Sequence, residues 1–285
     1  MVKIIECPRD AMQGVMTHIP TETKIAYLNQ LLKVGFDTLD FGSFVSPKAI
    51  PQLADTADVL RGLDLSTTAT KLLAIVANRR GADDACKFPE IHYLGYPFSI
   101  SETFQLRNTR KTIAESVDLV RDMQSLCETH GKELVVYISM GFGNPYGDPW
   151  SPALAADWVE KMVDLGVRTI SLADTVGSAD AATIAPLFET LIPRFPDVEF
   201  GAHFHATPAA RKSKLQAAWD GGCRRFDSAM LGFGGCPFAE DTLVGNIATE
   251  TVAEWLKEMD VEDGLDREAF GEGMFLAGQV FSVHH

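Results

Sequence analysis

The chain has 285 residues, 46% of them hydrophobic and 22% charged, which excludes a disordered polymer and leaves enough apolar material for one large core. A formal net charge of −14 with no offsetting basic run argues against a nucleic-acid partner, because phosphate backbones are bound by concentrated Lys and Arg. An anionic substrate would therefore need a local positive site.

Short apolar runs alternate with longer helical patterns along the chain. The predicted strands are Val2–Glu6, Thr38–Phe41, Lys71–Ile75, Ile91–Leu94, Leu134–Ile138, Thr169–Leu172, Glu199–His203 and Arg225–Asp227. Between them apolar residues recur at three- and four-residue steps, as in Ile25, Leu28, Leu31 and Leu32, or Ala155, Trp158, Val159 and Met162, the spacing of one helix face. Such alternation argues for parallel strands joined by right-handed crossovers, and eight repeats suffice to close a (β/α)8 TIM barrel, for which about 250 residues is the usual length. A doubly wound open sheet is the competing architecture. Gly35, Gly166 and Gly222 each stop a helix just before a strand and mark the bottom face. No linker-like tract divides the chain, so residues 1–285 read as a single catalytic domain, with a C-terminal extension of one or two helices from about Asp260.

The five cysteines, Cys7, Cys86, Cys127, Cys223 and Cys236, form no CxxC pair, which suits a reducing, cytoplasmic setting. Met1 leads directly into strand-like Val2-Lys3-Ile4-Ile5 without a secretory pattern, and no apolar run approaches the ~18 residues of a membrane span, so no membrane partner is expected. The closing His284-His285 could be the remnant of a purification tag and is left out of any metal argument.

In a barrel of this type chemistry gathers at the C-terminal ends of strands. After the first strand, Pro8-Arg9-Asp10 with Gln13 crowds a cation, a carboxylate and an amide into one loop: Asp10 offers a hard oxygen ligand, Arg9 a clamp for developing negative charge. The same pair could be a structural ion pair. At the end of the seventh strand, His203-Phe204-His205 places two imidazoles on one side of an extended chain, as a metal would require, although ordinary strand-end histidines have the same spacing. After the eighth strand, Gly232-Phe233-Gly234-Gly235-Cys236-Pro237 presents a thiol on a loop able to close, and Gly245-Asn246 follows with a neutral oxygen donor. Together, one carboxylate, two imidazoles and one amide form a nitrogen and oxygen set suited to Mg²⁺ or Mn²⁺, with Zn²⁺ less favoured.

These segments, with Gly42-Ser43-Phe44-Val45-Ser46-Pro47-Lys48, Asn144-Pro145-Tyr146, Ser171-Leu172-Ala173-Asp174-Thr175-Val176-Gly177 and Gly245-Asn246-Ile247-Ala248-Thr249-Glu250, resemble in order the motifs of the 3-hydroxy-3-methylglutaryl-CoA lyase family, within the DRE-TIM metallolyases. The match runs from residue 5 to about 252. The resemblance implies a barrel that splits 3-hydroxy-3-methylglutaryl-CoA into acetyl-CoA and acetoacetate. It implies Asp10, His203, His205 and Asn246 as metal ligands, Arg9 as enolate stabiliser and Cys236 as a proton-transferring thiol. Asp174 or a histidine such as His203 would take the hydroxyl proton, while Gln13, Asp40, Ser43, Ser139, Asn144, Thr175, Gly235 and Glu250 fall at substrate-binding positions, Asp40 replacing a family Glu. An acyl-CoA partner is implied, and a homodimer is the family expectation.

Three segments depart from the family. Ala206-Thr207-Pro208-Ala209 stands where it reads Asp-Thr-Tyr-Gly, Gly143-Asn144-Pro145-Tyr146 where it reads Gly-Cys-Pro-Tyr, and Gly14-Val15-Met16 where it carries a basic residue. The changes spare the inferred ligands and touch their surroundings. Another metal-dependent aldolase or Claisen enzyme, acting on a different hydroxyacyl-CoA or a 2-oxo acid, is therefore the first alternative, and a non-catalytic acyl-CoA-binding relative the second.

Overall fold

The computed structural model describes residues 2–235 and 244–284. Its strands are β1 (Lys3–Glu6), β2 (Thr38–Ser43), β3 (Lys71–Ile75), β4 (Ile91–Ser99), β5 (Glu133–Ser139), β6 (Thr169–Asp174), β7 (Glu199–Phe204) and β8 (Arg225–Ser228). Its α-helices are α1 (Pro8–Gln13), α2 (Thr21–Leu31), α3 (Thr56–Arg61), α4 (Arg79–Ala85), α5 (Glu102–Thr109), α6 (Ile113–His130), α7 (Pro152–Asp164), α8 (Ala181–Arg194), α9 (Arg211–Asp220), α10 (Thr249–Glu258) and α11 (Arg267–His284). Each strand pairs in parallel with its sequence neighbours, and β8 pairs with β1, Lys3 opposite Arg225, so the sheet closes as a (β/α)8 barrel.

Every predicted strand forms, but several run further than their apolar stretches. The largest difference is β4, which continues past Leu94 through Gly95 and Pro97 to Ser99. A side chain at Gly95 would start 2.6 Å from Ile75 Cδ1 and 3.1 Å from Tyr137 Cε2, so what reads as a strand breaker is close packing between β3 and β5. Period two sorts the strand residues. Leu72, Ala74, Leu94 and Val136 join the large core beneath the helices, whereas Leu73, Ile75, Tyr93, Val135 and Tyr137 form a smaller apolar group of their own.

Local signals place the helices. Thr112 caps α6 in a reciprocal box with Glu115, and Gly131, at φ 64°, ends it. Ser151 caps α7, Pro152 occupies its first turn, and Ala155, Val159 and Met162 are buried along one face. Gly35, Gly166 and Gly222 take φ of 92°, 95° and 98°, the left-handed backbone that the helix-to-strand turns need.

The C-terminal extension is one helix. α11 lies against α2 and the turn after β8. Its fully buried Phe281 meets Tyr27 edge-on at 6.2 Å and stacks on Phe233 at 4.6 Å between ring centroids. Burying a phenylalanine is worth roughly 1.5–3 kcal/mol, and this one ties the extension to the start of the glycine-rich loop.

Candidate metal centre and active site

Pro8 opens α1 directly after β1 and sets Arg9, Asp10 and Gln13 on its first turns. Arg9 sits at the hub: Nε donates to Asp40 Oδ1 and Oδ2 at 3.2 and 3.0 Å, Nη2 to Asp40 Oδ2 at 2.6 Å, and Nη1 to Asp10 Oδ1 and Gln13 Oε1 at 2.9 Å each. Gln13 Nε2 also donates to Asp10 Oδ1, at 2.7 Å. The fork to Asp40 is the planar bidentate geometry that a guanidinium makes and an ammonium does not.

Across the barrel mouth β7 supplies His203 and its end His205, ring centroids 5.3 Å apart. Asp10, His203 and His205 each offer a ligand atom, all within 4.8 Å of one another and all buried. Asn246 bridges to His205 through the backbone, and its Nδ2 donates to Asp10 Oδ2 at 2.6 Å and to the Phe233 carbonyl at 2.9 Å. His205 Nδ1 is buried with no hydrogen-bond partner among the described residues. A carboxylate, two imidazoles, one with an unsatisfied nitrogen, and an adjacent amide fit a divalent ion with mixed oxygen and nitrogen preference.

The charges are arranged for that use. Burial alone would raise the Asp10 carboxyl, but Arg9, His203 and His205 outweigh it and hold it at about 2. Burial and the neighbouring His203 push His205 down to about 4, so both groups stand deprotonated near neutrality. Burial also works against a charged His203, yet the hydrogen bond and charge of Asp227 raise it above its ordinary value. Burial lifts Asp40 to about 6, and the Arg9 fork keeps it ionised at neutral pH. Cys7 also lies close to His203 and Asp227, but burial and the Asp227 charge raise its thiol well above the ordinary range, and the thiol donates to the Ile5 carbonyl. That group supports the histidine and is no second centre.

The site opens into a cavity of about 680 Å³. Its walls include Arg9, Asp10, Gln13, Tyr137, Ser139, Thr175, His203 and His205, with Lys48, Arg107 and Arg110 nearer the mouth. This is the local positive region that a chain of net charge −14 needs for an anionic substrate.

Other predicted positions lie beside the cavity instead of lining it. Asp40 is occupied by Arg9. The Ser43 hydroxyl donates to the Ile75 carbonyl and accepts from the Val45 amide. The Asn144 side chain is spent within its own loop, accepting from the Tyr146 and Asp148 amides and donating to the Asp148 carbonyl. Glu250 accepts from the Leu231 amide at the start of α10. Gly235 takes φ 140° in the loop after β8, and Cys236 lies outside the described residues. Asp174, expected as a base candidate, faces Lys214: the ammonium group is 2.5 Å from its Oδ2, and the Ala179 amide donates to the same oxygen at 3.1 Å. These contacts hold the carboxylate in place, while burial raises its pKa above the ordinary value.

The sequence reading missed Asp227, whose Oδ2 accepts from His203 Nδ1 at 3.1 Å, and Lys214. The alternation of Arg225 and Asp227, two charged residues on one face of a short strand, was the available signal for Asp227. Lys214 gave none, since one lysine among Arg211, Lys212 and Lys214 looks like any solvated helix face.

Comparison with known proteins agrees with this geometry. The HMGL-like family model matches residues 2–272. The chain is 33% identical to the hydroxymethylglutaryl-CoA lyase YngG of Bacillus subtilis over 92% of this chain and 86% of that one. It is 32% identical to the (R)-citramalyl-CoA lyase of Chloroflexus aurantiacus over 92% and 85%. An HMG-CoA lyase from Acinetobacter baumannii, solved in complex with coenzyme A and 3-methylmalate, superposes with a TM-score of 0.91 at 30% identity, covering 99% of this chain and 92% of that one. With a family model spanning nearly its whole length and a barrel whose strand ends gather these donors, the chain belongs to the HMGL-like family.

Proposed function

We propose that the protein is a divalent-metal-dependent carbon–carbon lyase acting on a 3-hydroxyacyl-CoA, with 3-hydroxy-3-methylglutaryl-CoA as substrate and acetyl-CoA and acetoacetate as products. The observation that carries the reading is the convergence of Asp10, His203 and His205 within 4.8 Å at the floor of a cavity that Arg9 also lines. The barrel and α11 act as one catalytic unit, and the four described cysteines, buried and unpaired, suit a cytoplasmic setting.

Asp10, His203, His205 and Asn246 would hold the ion, Mg²⁺ or Mn²⁺. When bound, it acts as a Lewis acid that lowers the pKa of the substrate's tertiary hydroxyl. Breaking the C–C bond sends an electron pair towards the thioester carbonyl, and a fixed cation beside that oxygen stabilises the developing charge. Arg9 supplies it, preorganised by Asp40, Asp10 and Gln13 so that the guanidinium need not reorient during the reaction. Ser139 and Thr175 orient the acyl portion from the wall of the cavity, and Lys48, Arg107 and Arg110 offer positive charge to the anionic carrier. Cys236, which lies outside the described residues, would deliver the proton to the departing carbanion. The hydroxyl proton would pass to Asp174, whose carboxyl burial raises, or to a histidine not committed to the ion.

Incubation with 3-hydroxy-3-methylglutaryl-CoA and Mg²⁺ or Mn²⁺, with and without chelator, tests the reading. Acetoacetate should appear only with metal. The relative that acts on (R)-citramalyl-CoA, and the Ala206 and Pro208 departures beside the histidines, support a second reading: the same chemistry on a neighbouring thioester. Turnover of citramalyl-CoA without acetoacetate formation selects it. Binding of acyl-CoA with no metal-stimulated product from either thioester makes the chain a non-catalytic binder.

A further inference from the structure

The residues behind His203 form a second polar group that the proposed reaction does not use. Among the described residues, five buried polar atoms without hydrogen-bond partners lie on β5, β6 and β8: Tyr137 Oη, Ser171 Oγ, Arg225 Nε and Nη2, and Asp227 Oδ1. They sit on adjoining positions of the sheet. Tyr137 pairs with Ser171, Ser171 with Gly201, and His203 with Asp227, while the pairing of Ala202 with Phe226 puts Gly201 level with Arg225.

Gly201 lets the Arg225 and Ser171 side chains approach the backbone closely at the centre of this group. A Cβ built there would lie 3.2 Å from Arg225 Cδ, Arg225 Nε and Ser171 Oγ alike. Arg225 is 2% exposed, and its nearest carboxylate contact is Nη1 to Glu199 at 3.9 Å, so the buried guanidinium lacks a direct fork. A buried donor or acceptor left unpaired costs about 1–3 kcal/mol. Two guanidinium N–H groups, two hydroxyls and one carboxylate oxygen, donors and acceptor mixed, are the lining that ordered water satisfies.

We propose that Asp227 and Arg225 form a positioning relay for His203, in which water joins the Arg225 guanidinium to Asp227 Oδ1. Asp227 Oδ2 accepts from His203 Nδ1, which fixes the ring and leaves Nε2 for the ligand point shared with Asp10 and His205. Arg225 thus acts on the ion through two intervening residues, Asp227 and His203, and neither it nor Asp227 touches substrate. A water-bridged link depends on charge and donors more than on the shape of a fork. Lysine at 225 should therefore serve where methionine does not.

The inference rests on the metal reading above, and its test separates the two. Mn²⁺ is titrated into the full-length protein and free ion is followed by electron paramagnetic resonance, with circular dichroism as the check of folding. D227N, nearly isosteric, should weaken Mn²⁺ binding by about 10–100-fold, the usual effect of losing a partner of a liganding histidine. R225M should weaken it in the same direction, and R225K should return it to within a few-fold of wild type. Folded D227N with wild-type Mn²⁺ affinity overturns the relay, whether or not R225M folds. R225K as impaired as R225M overturns the water-bridged link. Wild-type protein that takes up no Mn²⁺ overturns the metal reading itself, and the relay with it.

Discussion

The ammonium group of Lys214, on α9, lies 2.5 Å from Asp174 Oδ2, at the end of β6, with both side chains almost wholly buried. The same nitrogen donates to the Gly177 carbonyl at 2.9 Å and the His205 carbonyl at 3.0 Å, so one lysine fastens the ends of β6 and β7 together. Burial raises the Asp174 carboxyl, and the Lys214 charge opposes that rise. K214M should cost about 3–5 kcal/mol, because it strands a buried carboxylate. The K214M/D174N double variant should recover part of the loss. Chemical denaturation of the three variants reads this directly, and a double variant no more stable than K214M would show that the pair is not coupled.

Metal uptake should follow the ligand set. D10N should lower Mn²⁺ affinity by more than about 100-fold, exceeding the loss of a supporting residue. Ligand bound only by the folded state raises stability by about 2.7 kcal/mol at a hundred times its dissociation constant. Thermal melts with and without Mn²⁺ should therefore separate for the wild type and coincide for D10N.

Arg9 should prove sensitive to geometry as well as charge. R9K keeps a cation but loses the fork to Asp40 and the simultaneous contacts to Asp10 and Gln13. Its kcat should fall by on the order of 10²–10³, the scale of losing one preorganised stabiliser, with KM changed much less. A mainly raised KM would instead assign Arg9 to substrate binding.

Gly234 has φ 101°, and a Cβ there would lie 2.5 Å from Asn246 Nδ2 and 2.9 Å from the Asp10 carbonyl. G234A forces both neighbours to move and strains the backbone by about 1–3 kcal/mol. Reduced Mn²⁺ affinity with a modest fall in Tm is the expected result, whereas a fall in Tm alone would leave the glycine a purely conformational part.

Glu6 gives the pH dependence. Burial lifts its carboxyl to about 8, although Thr249 and the Met230 amide donate to it. The folded chain thus holds a proton that the unfolded chain releases near its ordinary value of 4.5. The resulting stability is fully present below that value and is lost as pH rises through about 8. Tm should therefore decline between roughly pH 5 and 8 more steeply in wild type than in E6Q, where no proton is lost, and the two should run parallel above that range. Parallel slopes across that range would mean that Glu6 is already ionised near pH 5.

The barrel was legible in the sequence because its signals are local. Apolar strand runs, helical spacing and glycines at helix stops depend on neighbours within a few residues, and the Pro8-Arg9-Asp10, His203-Phe204-His205 and Gly245-Asn246 segments expose donor types directly. Strand ends were less legible. β4 reads as ending before Gly95 and Pro97, and β6 before Ala173-Asp174, until pairing such as Ser99 with Ser139 and Asp174 with Phe204 gave their backbone groups partners.

By itself, then, the sequence determined the order of strands and helices, the chemistry available at the mouth of the barrel and the family resemblance. Only the tertiary structure decided that Arg9 forks onto Asp40, that Asp227 steadies His203 and that Lys214 occupies Asp174, pairs separated by 31, 24 and 40 positions along the chain. Such pairings follow from which strands stand side by side and which way their side chains point once the sheet closes. No local pattern of residues carries that information.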